Sequence, residues 1–279
     1  MINQFCIALL CLITTLGYSQ EKEKEKQEIL AEAWLLYNSE RASWHGTDIF
    51  MERYPLLRKK MAGYFSYTQG NEHKCIFYDQ CTPPMTLAAI TFNNNFVIEA
   101  AQVDTITRPL TTFEADLCAI RQKVTEEVNK DTVLFKHYLH TSYNLVPLIV
   151  KGNKKVYIFT GPAENGKVIF GNDYLIEFDK RNNIKSKKAL HKSMLRMDYA
   201  KEGQEVTTMH THLDSTGDVI TATDICTLLL YAPYANWSQH YVMSAKYISI
   251  WDCDKESLFV MTRKAWEKVQ NLESDKDKN

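Results

Sequence analysis

Apolar residues fall into two spacings along the chain. Ile29, Ala33, Leu36 and Tyr37 recur three and four residues apart behind the charged block EKEKEK, predicting a helix that runs to about Trp44, just before Gly46. Short β-like runs follow: GYFSYT, KCIFYD, TLAAITF and FVIEAAQV, separated by turn residues such as Gln69-Gly70-Asn71 and Asn93-Asn94-Asn95. Helical spacing returns at Phe113, Leu117, Ile120, Val124 and Val128, opened by a Thr111 and Glu114 capping box. A second β-rich stretch reads NLVPLIV, KKVYIFT, KVIFG and DYLIEFD, with Asn165-Gly166 and Arg181-Asn182-Asn183 as hairpin turns. The last third reads strand (QEVTTMH), helix (TDICTLLLY), one or two strands (HYVMSAKYISIW) and a closing helix (TRKAWEKVQNLE). This order predicts an α+β (mixed α/β) architecture, a largely antiparallel sheet flanked by helices. A weak boundary near residue 140 separates residues 20–140, a helix plus a β-rich region without assigned chemistry, from residues 141–279. Hairpins on both sides of it can also share one sheet.

The apolar run Phe5–Leu16, followed by Gly17-Tyr18-Ser19 and then charge, is too short to span a bilayer and suits a secretory signal. Cleavage is expected after Ser19, giving a secreted or periplasmic protein that begins at Gln20 and carries no other stretch apolar enough for a transmembrane helix. Charge balance, 33 Lys+Arg against 34 Asp+Glu, argues against a nucleic-acid binder, which needs basic excess to displace phosphate counterions. Removing the signal also removes Cys6 and Cys11. Of the five cysteines left, Cys75 and Cys81 are the first choice for a disulfide in an oxidising compartment, while Cys118 on the predicted helix reads as a buried thiol.

One segment carries chemistry: Met209-His210-Thr211-His212 through Thr221-Ala222-Thr223-Asp224. Alternation along a strand puts His210 and His212 on one face, where two imidazoles can fill two corners of a tetrahedral zinc site. Asp224, in the first turn of the following helix, can supply a third ligand, and a catalytic site keeps its fourth position for water. A capping box, Thr221 with Asp224, accounts for that pair without any metal. His191, in KKALHKSML, is a candidate fourth ligand or base, although surface exposure is the ordinary expectation for such a residue. His240 is a neighbour on a strand for which a structural role is the ordinary expectation, and Cys226 is expected to be core.

The His210-x-His212 pair, an eight-residue spacer and Thr221-x-x-Asp224 resemble the JAMM (JAB/MPN) metallopeptidase family, with Thr221 where that family has Ser and Leu213 where it has Pro. The resemblance spans roughly residues 155 to 260. It implies a strand–loop–helix zinc unit and a peptidase or isopeptidase acting on a peptide or protein substrate. It implies zinc on His210, His212 and Asp224, Thr221 assisting at the oxyanion, and a carboxylate base on an earlier strand. Glu177 in DYLIEFD is the candidate for that base, ahead of Glu205 and Glu99. The stretch His210-x-His212-x-Asp214 is also similar to the metallo-β-lactamase signature, a second hydrolase reading in which Asp214 would bind another metal. A third possibility is a non-catalytic extracytoplasmic binding or structural protein with an incomplete metal site. Neither the substrate nor the oligomeric state is specified by the sequence.

Overall fold

The computed structural model describes the backbone of residues 2–276 and the side chains of residues 20–271. The predicted signal, residues 1–19, lies outside the described side chains. Helix α1 (Ile2–Arg53) is followed by one-turn α2 (Pro55–Arg58). Four strands, β1 (Met61–Gln69), β2 (Glu72–Asp79), β3 (Thr86–Phe92) and β4 (Gln102–Asp104), form an antiparallel meander in sequence order. Helix α3 (Thr112–Lys130) comes next, then β5 (Thr141–Val150), β6 (Asn153–Pro162), β7 (Lys167–Gly171), β8 (Tyr174–Phe178), β9 (Ile184–Ala189) and β10 (Met194–Asp198). The final third is β11 (Val206–Thr211), α4 (Ala222–Ala235), β12 (Trp237–Met243), β13 (Tyr247–Asp252), β14 (Ser257–Thr262) and α5 (Arg263–Lys276). The α+β class expected from the sequence is what the structure shows.

Helix α1 serves as a spine. Its Ala33 packs into the core around α4 and β12–β14, Leu36 onto the β5-β6-β8-β9 sheet, and Ala42, Ile49 and Phe50 onto the meander. The expected stop before Gly46 is not observed, because that glycine is a packing device and not a terminator. A Cβ there would sit 2.6 Å from Cys75 Cβ, so only Gly lets the helix lie this close to β2. Helix α3 buries Leu117, Ile120, Val124 and Val128 against residues from both sides of position 140, among them Phe65, Tyr78, Ile158 and Ile176. Phe113, placed by periodicity on the same face, is 40% exposed and packs edge-on against Tyr67.

Two connections differ from the sequence reading. Asn165-Gly166 does not close a hairpin: β6 pairs with β5 and β8, while β7 leaves that sheet to pair antiparallel with β10. And β11 pairs parallel with β12, the only parallel pair among the described strands, because α4 carries the chain back across before β12 begins. The Cys75–Cys81 disulfide is not formed: Cys75 is a buried thiol facing α1, and Cys81 is an exposed thiol in the loop after β2. Cys118 is buried and free, as expected.

Candidate metal centre

A helix that follows a strand in a parallel crossover starts near that strand's C-terminal end. His210 sits on the last turn of pleat in β11, and His212, one residue past the strand, stays tied to the sheet through its backbone N–H to Met243 O (2.8 Å). Asp224 is the third residue of α4. Thr221 caps that helix: the Asp224 N–H donates to Thr221 Oγ1 (3.1 Å), and the Thr221 N–H donates to Asp224 Oδ2 (3.0 Å). The capping box and the ligand reading therefore use the same Asp224. The cap engages Oδ2, which also faces His212, and Oδ1 is turned toward His191 and His210. Thr221 Oγ1 also donates to Oδ2 (2.7 Å), so the hydroxyl assigned to an oxyanion is engaged within the cap.

His191 completes the group. It lies in the loop between β9 and β10, and its side chain is 10% exposed. His191 Nε2 is 3.1 Å from His212 Nε2 and 3.6 Å from Asp224 Oδ1. His210 Nε2 is 3.7 Å from Asp224 Oδ1, and His212 Nε2 is 3.2 Å from Asp224 Oδ2. All four ligand atoms lie within 4.8 Å of one another. A tetrahedral zinc with bonds of about 2.0–2.1 Å has ligand–ligand edges of about 3.3 Å, close to the four separations of 3.1–3.7 Å. His210 Nε2 is buried with no hydrogen-bond partner, which a cation bound there would supply. The residues present thus fit a metal ion.

Outer partners aim the rings. Asp173, in the short link between β7 and β8, accepts through Oδ1 from both the backbone N–H of His191 (3.0 Å) and its Nδ1 (2.7 Å). Its Oδ2 accepts from Thr223 Oγ1, joining this loop to the first turn of α4. With Nδ1–H committed to Asp173, the neutral His191 ring presents a lone pair on Nε2. His210 Nδ1 is 2.8 Å from His240 Nε2, and His240 Nδ1 is 2.7 Å from Thr208 Oγ1, its cross-strand neighbour. When this chain runs from His210 through His240 to Thr208, it leaves His210 Nε2 free as a ligand. Phe170 stacks on His240 at 4.8 Å. Burial, reinforced by neighbouring His210, pushes His240 down to about 3, so it stays neutral. Burial likewise lowers His210. For Asp224 burial acts upward, yet the imidazoles of His191 and His210 outweigh it and hold the carboxyl well below the usual range. His191 is displaced the other way: despite burial, Asp224 and Asp173 push it up to about 11. In the metal-free protein a proton on His191 thus takes the place of the cation.

Gly171 makes the loop possible. Its φ is +77°, and a Cβ there would lie 2.2 Å from Ser193 O, the carbonyl that accepts from the Asn172 N–H. No other residue would let the His191–Ser193 segment close on the end of β7.

The remaining candidates are not brought to this point. Glu177 is exposed, accepts from Ser186 Oγ (2.6 Å), and stands four residues along β8 from Asp173, about 13 Å at the strand rise. It faces away from Ile176 and Phe178 as alternation requires, but at the wrong end of the strand to reach the histidines. Asp214, Glu205 and Glu99 are exposed, and Cys226 is buried against Leu36 and Tyr157. Asp173, Thr223 and Thr208 were not singled out by sequence reasoning. Each acts across a gap of tens of residues, and none has a spacing that marks it.

No family model, curated protein or solved structure matches the chain. Fold and site together define an α+β protein with a buried three-histidine, one-aspartate group that could hold a metal ion. Among the described residues, no helix is long and apolar enough to cross a membrane.

Proposed function

We propose that the protein is an exported zinc-dependent hydrolase that cleaves amide bonds in peptides or proteins, as the JAMM resemblance implies. The observation that supports it most is the convergence of the His191, His210 and His212 Nε2 atoms on the Asp224 carboxylate at tetrahedral edge distances. Zinc, when bound, would supply Lewis acidity toward a carbonyl and an activated water. His210, His212 and Asp224 hold it. His191 replaces Glu177 as the proton carrier: Asp173 fixes its Nδ1–H, and its Nε2 takes up and returns the proton. A cleft of about 410 Å³ beside His191 and His210, bordered by Met194, Leu195 and Met209, gives a substrate access. Strand β11 flanks it as the edge of its sheet, so an extended peptide can pair with its free backbone groups.

A second reading has its own support. His191 Nε2 lies about as close to His212 and Asp224 as His210 and His212 lie to the Asp224 carboxylate, which suits a closed four-ligand site of structural type. His191→Ala separates the two. In a hydrolase with His191 as proton carrier, the variant keeps about one zinc and loses hydrolysis of peptide and isopeptide substrates by roughly 100-fold or more. In a closed site, zinc affinity itself falls and no hydrolysis is measurable in the parent protein. Absence of zinc from the parent protein after reconstitution would overturn both.

A further inference from the structure

A second cavity of about 520 Å³ lies between α1, the C-terminal half of α4 and the loop joining β6 to β7. It shares no lining residue with the histidine group. Its walls are aromatic: Trp44, Tyr64, Tyr199, Tyr231 and Tyr234. Trp44 and Tyr234 stand at the mouth, 43% and 62% exposed, with ring centroids 6.0 Å apart. Trp44 also stacks on His45 with centroids 5.8 Å apart, yet both rings keep a large part of their surface open at the cavity.

The cavity contains a carboxylate, Glu40 of α1. Its Oε2 accepts from Asn144 Nδ2 (3.1 Å), and among the described residues neither oxygen is in an ion pair. Arg121 acts on Glu40 at longer range, its guanidinium lying over the Tyr64 ring at 5.1 Å from the centroid. The other charges on the lining are already engaged: Lys167 pairs with Asp198, and Glu164 lies near His140 and Arg196. Glu40 therefore brings a carboxyl group into an aromatic chamber where, among the described residues, no cation forms an ion pair with it and Arg121 acts only at longer range. Burial pushes its carboxyl up to about 7, against the downward pull of the Asn144 hydrogen bond and of Arg121.

We infer that this cavity binds a small organic cation, an alkylammonium group seated among the Trp44, Tyr64, Tyr231 and Tyr234 rings with its charge on Glu40. Ring faces attract cations through their quadrupoles, and a carboxylate at the base fixes the sign of the ligand. The volume is in the range of small-molecule sites. Neither an anion nor a neutral polar ligand satisfies Glu40 and the rings together.

Titration calorimetry on the full mature chain tests this with three probes: choline, butylamine as a lysine side-chain mimic, and 3,3-dimethylbutan-1-ol, the neutral isostere of choline. Saturable binding of choline or butylamine is expected, with the alcohol at least about tenfold weaker. Which cation binds tighter distinguishes a quaternary headgroup from a lysine-like side chain. Glu40→Gln and Trp44→Leu should each weaken the cation about tenfold or more while zinc content stays at the parent level, which shows that the fold is kept. Affinity should rise between pH 6 and pH 8 as Glu40 ionises, a rise that Glu40→Gln abolishes. No saturation by either cation at tens of millimolar, equal binding of the alcohol, or unchanged binding by Glu40→Gln in a protein with parental zinc content would overturn the inference.

Discussion

The three histidines of the centre differ in what holds their far nitrogens. His191 leans on the Asp173 carboxylate and His210 on neutral His240, while His212 Nδ1 is buried without a partner. His212 is positioned instead by its backbone bond to β12. His210→Ala or His212→Ala should therefore abolish zinc binding, read as metal content after dialysis. Asp173→Asn removes a charge but keeps the fold of the loop, and should lower hydrolysis about 10- to 100-fold while about one zinc stays bound, since the group that fixes the His191 ring is weakened. Glu177→Gln should leave both zinc content and any hydrolysis unchanged, since its carboxylate reaches only Ser186. A loss of activity in that variant would restore Glu177 as the base.

At the scale of elements, the start of α4 and the end of β7 carry the geometry. Thr221→Ala removes the side-chain cap and with it two of the hydrogen bonds that hold Asp224, and should cost about 1 kcal/mol in denaturant unfolding together with weaker zinc binding. Thr221→Ser keeps the hydroxyl and should restore both. Gly171→Ala places a Cβ against the Ser193 carbonyl at a positive φ. The backbone penalty alone is about 1 kcal/mol, and the clash adds to it. Because the same loop holds His191, this variant should lose hydrolysis as well as stability. A Gly171→Ala protein with parental hydrolysis would show that the loop can move without shifting His191.

The whole molecule is knitted by α1, whose described residues pack into the cores of the β1–β4, β5-β6-β8-β9 and β11–β14 sheets. N-terminal sequencing of exported protein should read Gln20. Glu40, on the same helix, ties stability to pH. Its folded pKa, about 7, lies above the ordinary 4.5, so between those values the folded state holds a proton that the unfolded state has released. Its contribution is complete below about 4.5 and is lost as pH rises through about 7. Arg121, Tyr64, Tyr231 and Cys226 are the titratable or charged neighbours that act with it. Glu40→Gln should flatten this fall in thermal melts recorded across that window. Zinc at about 100 times its dissociation constant should add about 2.7 kcal/mol, removable by chelation.

Local chemistry was enough for much of this. Alternation along QEVTTMH placed His210 and His212 on one face. The Thr-x-x-Asp pattern opened α4 at Thr221, and the spacing of Leu117, Ile120, Val124 and Val128 defined the buried face of α3. These features depend on neighbours within one or two turns, so the sequence alone determines them. The fourth member of the group, His191, could be named but not placed, and Asp173 left no trace in its flanking residues. Both reach the site only because β7 leaves β6 to pair with β10, a choice made by partners far along the chain. Glu177 lies on β8 between β6 and β9, at the end of the strand away from the histidines, although its alternation along the strand holds. The packing of α1 on β2 turned Gly46 from a helix stop into a close contact with Cys75. Which side chains converge on one point depends on sheet order and crossover direction, and those are settled by the packing of the whole core, where no local spacing can record them.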